Sequence, residues 1–243
     1  MHKHGWSNIA AFGAVALALT LTLVGCSDAA EAPTAPAVEV AEDGQPALPA
    51  IPVMGPQRNI VAFGDSLFAG YGVDPKDAYP QKLEAALRAK GINAKVANAG
   101  VSGDTTAAGL QRLEFTLKEQ QSPPALLILE LGGNDLLRGL SPTESRANLG
   151  QMLAILQQQK VPVLLMGMRA PPNYGPDYQS QFDAMYGDLA KQYGAALIPF
   201  WLEDIYRDPA LFQADKIHPT AEGIEKLVGS TLDVVEQALP PVK

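Results

Sequence analysis

The chain is predicted to fold as an α/β domain, a three-layer α/β/α sandwich around a five-stranded parallel sheet. Three observations carry that prediction. Five short, nearly all-apolar runs lie between residues 59 and 199, and strands that are apolar on both faces belong to parallel sheets covered by helices. Segments with helical spacing separate the runs, the alternation expected of α/β folds. About 185 residues hold the whole set, enough for one such domain.

Taken in order, Ile60-Val61-Ala62-Phe63 is the first strand and stops at Gly64-Asp65. Pro80 to Lys90 places Leu83, Ala86 and Leu87 at helical spacing and ends at Gly91. Ala94 to Ala97 is the second strand, and Asp104 can cap a helix carrying Leu110, Leu113 and Leu117. Ala125 to Leu131 is the strongest strand signal, an apolar run broken only by Glu130. Ser141-Pro142-Thr143-Glu144 has the form of a capping box with proline at the first helical position, opening a helix through Leu149, Leu153 and Leu156. Val161 to Met166 is a fourth strand, Tyr178 to Tyr193 a helix, Ala195 to Pro199 a fifth strand, and Pro219 to Leu239 a closing helix.

Composition narrows the function. The chain is 47% apolar and 18% charged, a globular balance. Its net charge of -8 argues against a surface that neutralises phosphates, so no nucleic-acid partner is expected. There is one cysteine, Cys26, and three histidines, His2, His4 and His218. No intrachain disulfide is possible and no cluster of cysteines can hold a metal. Asp215 and His218 lack further soft ligands to complete a metal site, so none is expected.

The first fifty residues read as an address and a tether. Lys3 precedes an uncharged run of 16 residues, Ile9 to Val24, short for a bilayer span of about 20 residues and suited to a signal-peptide core. The run closes on Leu23-Val24-Gly25-Cys26, which resembles the bacterial lipoprotein cleavage box. That resemblance implies cleavage before Cys26, acylation of Cys26, and acyl chains that replace the removed helix as the anchor. A plain secretory signal, or an uncleaved anchor, is the alternative. Ser27 after the cysteine implies, by the same resemblance, an exported protein on the periplasmic face of the outer membrane. Residues 26–58 follow as a tether: from Ser27 to Arg58 there are six prolines, eight alanines and five acids without helical or strand period. If flexible, the tether would hold residues 59–243 about 30 Å from the membrane.

Unusual residues then fall at the strand ends, where α/β folds collect reactive groups. Strand one ends in Gly64-Asp65-Ser66-Leu67, strand two in Asn98-Ala99-Gly100-Val101-Ser102-Gly103-Asp104, and strand three in Leu131-Gly132-Gly133-Asn134-Asp135. Asp215-Lys216-Ile217-His218-Pro219 stands near the C-terminus. These four blocks, in order, resemble those of the GDSL/SGNH hydrolases. The stretches Ser102-Gly103-Asp104-Thr105, Leu131 to Gly139, and Pro171-Pro172-Asn173-Tyr174-Gly175 are similar to the bacterial thioesterase/protease/lysophospholipase and arylesterase branch. The resemblance spans residues 59 to about 239 and implies the flavodoxin-like SGNH fold with no cofactor.

Within that resemblance Ser66 is the expected nucleophile. A serine hydroxyl attacks only when a base takes its proton, and after signal cleavage His218 is the one imidazole left. Asp215, three residues earlier, would orient the ring and stabilise the imidazolium. Taken alone, Ser66 could be a turn hydroxyl and Asp215 a helix cap. The backbone N–H groups of Ser66 and Gly103 and the amide of Asn134 are the expected oxyanion donors. A Gly-x-Ser-x-Gly elbow is absent because position 68 is Phe, and no phosphate loop is present.

The expected reaction is hydrolysis of a carboxylic ester or thioester through an acyl-serine, on aryl esters, acyl esters or lysophospholipids, by a monomer. Residues 135–140 and 169–178 are expected to be loops bordering the acyl site, with Asp135, Leu136, Leu137, Arg138, Ala170, Pro171, Asn173 and Tyr174 contributing to substrate binding. Ordinary loop packing accounts equally well for each of these taken singly. Two alternatives stay open: an O-acetyl esterase acting on sugars or cell wall, and a noncatalytic envelope lipoprotein.

Overall fold

Five parallel strands in the order β2-β1-β3-β4-β5 make up the sheet in the computed structural model, which describes residues 53–242. They are Arg58–Gly64 (β1), Ala94–Gly100 (β2), Leu126–Glu130 (β3), Val163–Met166 (β4) and Ala196–Ile198 (β5). The chain runs from β1 to β2 on one side and returns for β3 on the other. This creates a topological switch point at the carboxyl ends of β1 and β3, the place where open α/β sheets bind ligands.

Alternation along the strands explains the three layers. Ile60, Ala62, Leu126, Ile128, Leu164 and Met166 face one side, and Val61, Phe63, Leu127, Leu129 and Leu165 face the other. Successive strand residues point to opposite faces, so a strand covered on both must be apolar throughout. The first face is covered by Ser66–Ala69 (α1), Tyr79–Ala89 (α2) and Ala221–Ala238 (α7), through Phe68, Tyr79, Leu83, Leu87, Leu227 and Val235. The second is covered by Thr106–Lys118 (α3), Pro142–Gln158 (α5) and Pro176–Tyr193 (α6), through Leu113, Leu149, Met152, Leu153, Phe182 and Leu189.

The expected elements are all present, with corrected ends. Thr105, not Asp104, caps α3, accepting from the Ala108 N–H at 3.3 Å. Asp104 turns instead to the Arg112 guanidinium at 2.6 Å, because an ion pair is available about two helical turns on. The Ser141 side chain does not cap α5; its backbone carbonyl receives the N–H groups of Glu144 and Ser145, with Pro142 in the first turn. Residues 133–137, expected partly as loop, form a short helix, Gly133–Leu137 (α4), entered through Gly132 at φ 117°. A side chain at Gly132 would also collide with the Tyr186 hydroxyl, 2.2 Å from where its Cβ would stand.

Two substitutions test this packing. Leu129→Ala removes a fully buried side chain between β3 and the α5–α6 layer and is expected to lower the unfolding free energy by about 2–5 kcal/mol in urea titration. Gly100→Ala would put a methyl 2.3 Å from the Ala69 backbone nitrogen, so it should destabilise the fold and depress activity by displacing α1. Wild-type stability and activity in that variant would contradict the packing described.

Candidate active site

The carboxyl ends of β1, β2 and β3 bring three turns to one rim. After β1 the chain turns sharply at Asp65, which is buried and accepts the Leu67 N–H at 3.0 Å, capping α1. Ser66 is therefore the first residue of a helix, where backbone N–H groups have no partner within the helix. Across from it, residues 212–219 form a loop closed by a bridge between Phe212 and Pro219. Within the loop, Lys216 takes a positive φ of 61°, and Asp215 Oδ1 accepts the N–H groups of Ile217 and His218 at 2.9 and 3.0 Å. That turn sets the Asp215 carboxylate against the His218 ring and the ring against Ser66.

The resulting contacts form one chain. His218 Nε2 lies 2.9 Å from Ser66 Oγ, and His218 Nδ1 lies 2.7 Å from Asp215 Oδ2. Hydrogen bonds from the His218 ring, then from the His218 and Ile217 backbone, hold the Asp215 carboxyl down at about 2. The loop is fastened to the α1 side by Gln213, whose amide donates to the Tyr71 carbonyl at 2.8 Å. Gly72 makes room for it, since a Cβ there would stand 2.2 Å from Gln213 Oε1. The Tyr71 ring lies against the imidazole at 4.4 Å between centroids.

The oxyanion candidates meet at the same place: Ser66, Gly103 and Asn134 all line one cleft. Gly103 has φ 86° and nothing crowding its missing Cβ but the Arg138 guanidinium. Arg138 donates to the Gly103 carbonyl at 2.8 Å, fastening the turn after β2. Asn134 sits in the first turn of α4, and its Nδ2 donates to Asp65 Oδ2 at 2.9 Å. One N–H of the amide is thereby fixed, and the other is left for the cleft.

The cleft has a volume of about 560 Å³. Leu136, Leu137 and Pro171 line it, as the sequence suggests. Asp135, Arg138, Ala170, Asn173 and Tyr174 do not. Asp135 is buried under α4, where it accepts from Thr106 and Ser145 and joins α3 to α5. Ala170 is buried, its N–H bonded to Asp183. The Tyr174 hydroxyl donates to the Leu136 carbonyl at 2.8 Å, buttressing the wall from behind. Asn173 lies with Tyr174 in the 3-10 turn Pro172–Tyr174.

The opposite wall went unread in the sequence. Phe200, Leu202, Tyr206, Pro209 and Phe212 supply it, with Tyr71 and Met168. The run Pro199-Phe200-Trp201-Leu202 at the end of the fifth strand was the available signal, being apolar at a strand end. Cys26 and the segments 1–25 and 26–52 lie outside the described residues.

Comparison with known proteins agrees with this geometry. The profile of the GDSL-like lipase/acylhydrolase family matches residues 62–226. Esterase TesA of Pseudomonas aeruginosa is 40% identical over 171 residues, covering 70% of this chain and 84% of that protein. Thioesterase 1/protease 1/lysophospholipase L1 of Escherichia coli is 40% identical over 163 residues, 67% of this chain and 76% of the relative. Among solved structures, the SGNH-hydrolase family esterase AlinE4 is 60% identical, with a TM-score of 0.66 over 77% of this chain and all of its own. Variants of AlinE4 with one serine or one aspartate changed to alanine were also solved, and the two positions are separated by the same interval as Ser66 and Asp215 here.

The Asp215 shift fixes a pH expectation. Its folded value lies below the ordinary carboxylate value, so the pairing is complete above the ordinary range and is lost only as pH falls through about 2. A fall in activity near neutrality would therefore not be a protonation of Asp215. Asp215→Asn should lower kcat on the order of 10³–10⁴-fold by freeing the wrong tautomer. A loss under about tenfold in steady-state kinetics would contradict this role.

Proposed function

Since the chain belongs to the GDSL-like lipase/acylhydrolase family and is a serine hydrolase of the esterase kind, we propose that Ser66, His218 and Asp215 are its catalytic triad. The observation that carries this reading is the 2.9 Å contact between His218 Nε2 and Ser66 Oγ. Ser66 Oγ attacks the acyl carbon while Nε2 takes its proton, and Asp215 stabilises the imidazolium through Nδ1. Negative charge developing on the acyl oxygen is received by the N–H groups of Ser66 and Gly103 and the free N–H of Asn134. The imidazolium then protonates the departing alkoxide or thiolate, leaving an acyl-serine. Water, activated by the same imidazole, attacks that ester, and the acid leaves as Ser66 regains its proton.

The substrate is a small acyl ester or thioester. Leucine, phenylalanine, methionine and proline side chains dominate both walls, while Arg169 and Lys216 are the basic residues on the cleft. Apolar walls suit an acyl chain or aryl group. An O-acetyl sugar esterase needs converging polar donors for the sugar, and this cleft offers few of them. We further propose export and anchoring through Cys26, supported by the lone cysteine standing where lipoprotein processing requires it.

Steady-state kinetics on p-nitrophenyl esters of increasing chain length test the catalytic reading. Ser66→Ala should abolish turnover above the level left by binding alone, and Asn134→Ala should lower kcat about 10²–10³-fold. Butyrate and longer esters should be hydrolysed at least as well as acetate; strict acetyl preference would overturn the acyl-chain assignment. Metabolic labelling with a palmitate analogue tests the anchor: label should enter the wild type and not Cys26→Ala, and equal labelling would sink that part.

A further inference from the structure

One buried acid is unused by this mechanism. Glu130 ends β3, is fully buried, and is the only charged residue in a strand of leucines and isoleucine. Its Oε2 stands 3.4 Å from the Asp65 N–H, and its Oε1 receives no donor among the described residues. A buried carboxylate left with an empty oxygen is costly, and the cost disappears if that carboxyl carries a proton and donates.

The neighbouring acceptor is Asp65. Its Oδ1 accepts the Leu67 N–H at 3.0 Å, its Oδ2 accepts Asn134 Nδ2 at 2.9 Å, and its backbone N–H is the group that reaches Glu130 Oε2. Two adjacent buried carboxyls cannot both ionise. Asp65 has two donors favouring its charge, and Glu130 has one long N–H contact. The proton therefore belongs on Glu130. Burial first, and then the charge of Asp65, pushes Glu130 well above the ordinary range. Burial also raises Asp65, against its hydrogen bonds from Leu67 and Asn134 and the field of His218.

The surroundings agree. Tyr186 of α6 faces this pair as a buried hydroxyl donating to the Leu131 carbonyl. Asp135 of α4 is committed to Thr106 and Ser145. Arg112 of α3 is spent on Asp104 and the Gly64 carbonyl, so its cation is not left to pair with an ionised Glu130. Gly64 has been left without a side chain where a Cβ would stand 2.8 Å from Glu130 Oε2.

We propose that Glu130 is a positioning residue, a neutral acid that donates to the Asp65 carboxylate and thereby fixes the Asn134 amide with its N–H, and not its oxygen, toward the oxyanion. The proposal rests on the catalytic reading of Ser66 and Asn134. An amide free to rotate would present Oδ1 to a negative charge half of the time, and the remaining donors would carry the transition state alone.

Glu130→Leu removes the donor at similar volume, and Glu130→Gln keeps a neutral donor. The leucine variant should lose about tenfold or more in kcat with KM nearly unchanged, and glutamine should restore most of it. Infrared spectra of the wild type at neutral pH should show the carbonyl stretch of a buried protonated carboxylic acid, absent from Glu130→Gln. That measurement decides the matter even if Glu130→Leu does not fold. A missing band, a leucine variant with wild-type kcat, or a glutamine variant as damaged as leucine would each overturn the proposal. Ser66→Ala separates the two levels: if it stays active the triad reading fails, whereas an inactive Ser66→Ala beside an unaffected Glu130→Leu refutes the Glu130 role alone.

Discussion

A serine hydroxyl becomes a nucleophile only while an imidazole is in place to take its proton, so the 2.9 Å contact between Ser66 and His218 is the constraint to which the rest of the molecule is fitted. The two residues are 152 positions apart, and neither can hold the other by local structure. Ser66 is fixed because β1 ends in a capped turn. His218 is fixed because Asp215, in an Asx-type turn with Lys216 at positive φ, takes two backbone N–H groups with one oxygen and the ring with the other. Gln213 then ties that loop to the Tyr71 carbonyl. Removing any one of these fixings loosens a geometry that must hold within tenths of an ångström to be of use.

Two acids in the site live under opposite regimes. Asp215 is exposed, and its donors hold its carboxyl low; burial, and then the charge of Asp65, pushes Glu130 up. The carboxyl edge of the sheet thus holds two acids shifted in opposite directions, set apart by solvent access and by the number of N–H groups each receives.

Much of this was legible in the sequence, for reasons that can be named. Strands such as Leu126–Glu130 are apolar at every residue but the last because both faces are covered, so their existence and their parallel pairing follow from the run of apolar residues. The chemistry was legible because His218 is the one histidine after the first four residues, which leaves little choice of base. What could not be read was side-chain direction. Asp135 and Tyr174 lie in the right segments but point away from the cleft, Asp135 into the α3–α5 contact and Tyr174 onto a carbonyl behind the wall. Asp104 lost the cap to Thr105 because its carboxylate met Arg112. The Phe200–Phe212 wall depends on how the chain wanders after β5, a path with no period to betray it. Glu130 was visible only as a blemish in a strand; its role needs the neighbouring Asp65, 65 residues away.

The central claim is that hydroxyl and imidazole act together on one acyl carbon. Reaction with a fluorophosphonate, followed by peptide mass spectrometry, tests it most directly. The account predicts a single adduct, on the peptide containing Ser66, forming in the wild type and failing to form at a comparable rate in His218→Ala. An adduct on another residue, or equally fast labelling without the imidazole, would contradict it.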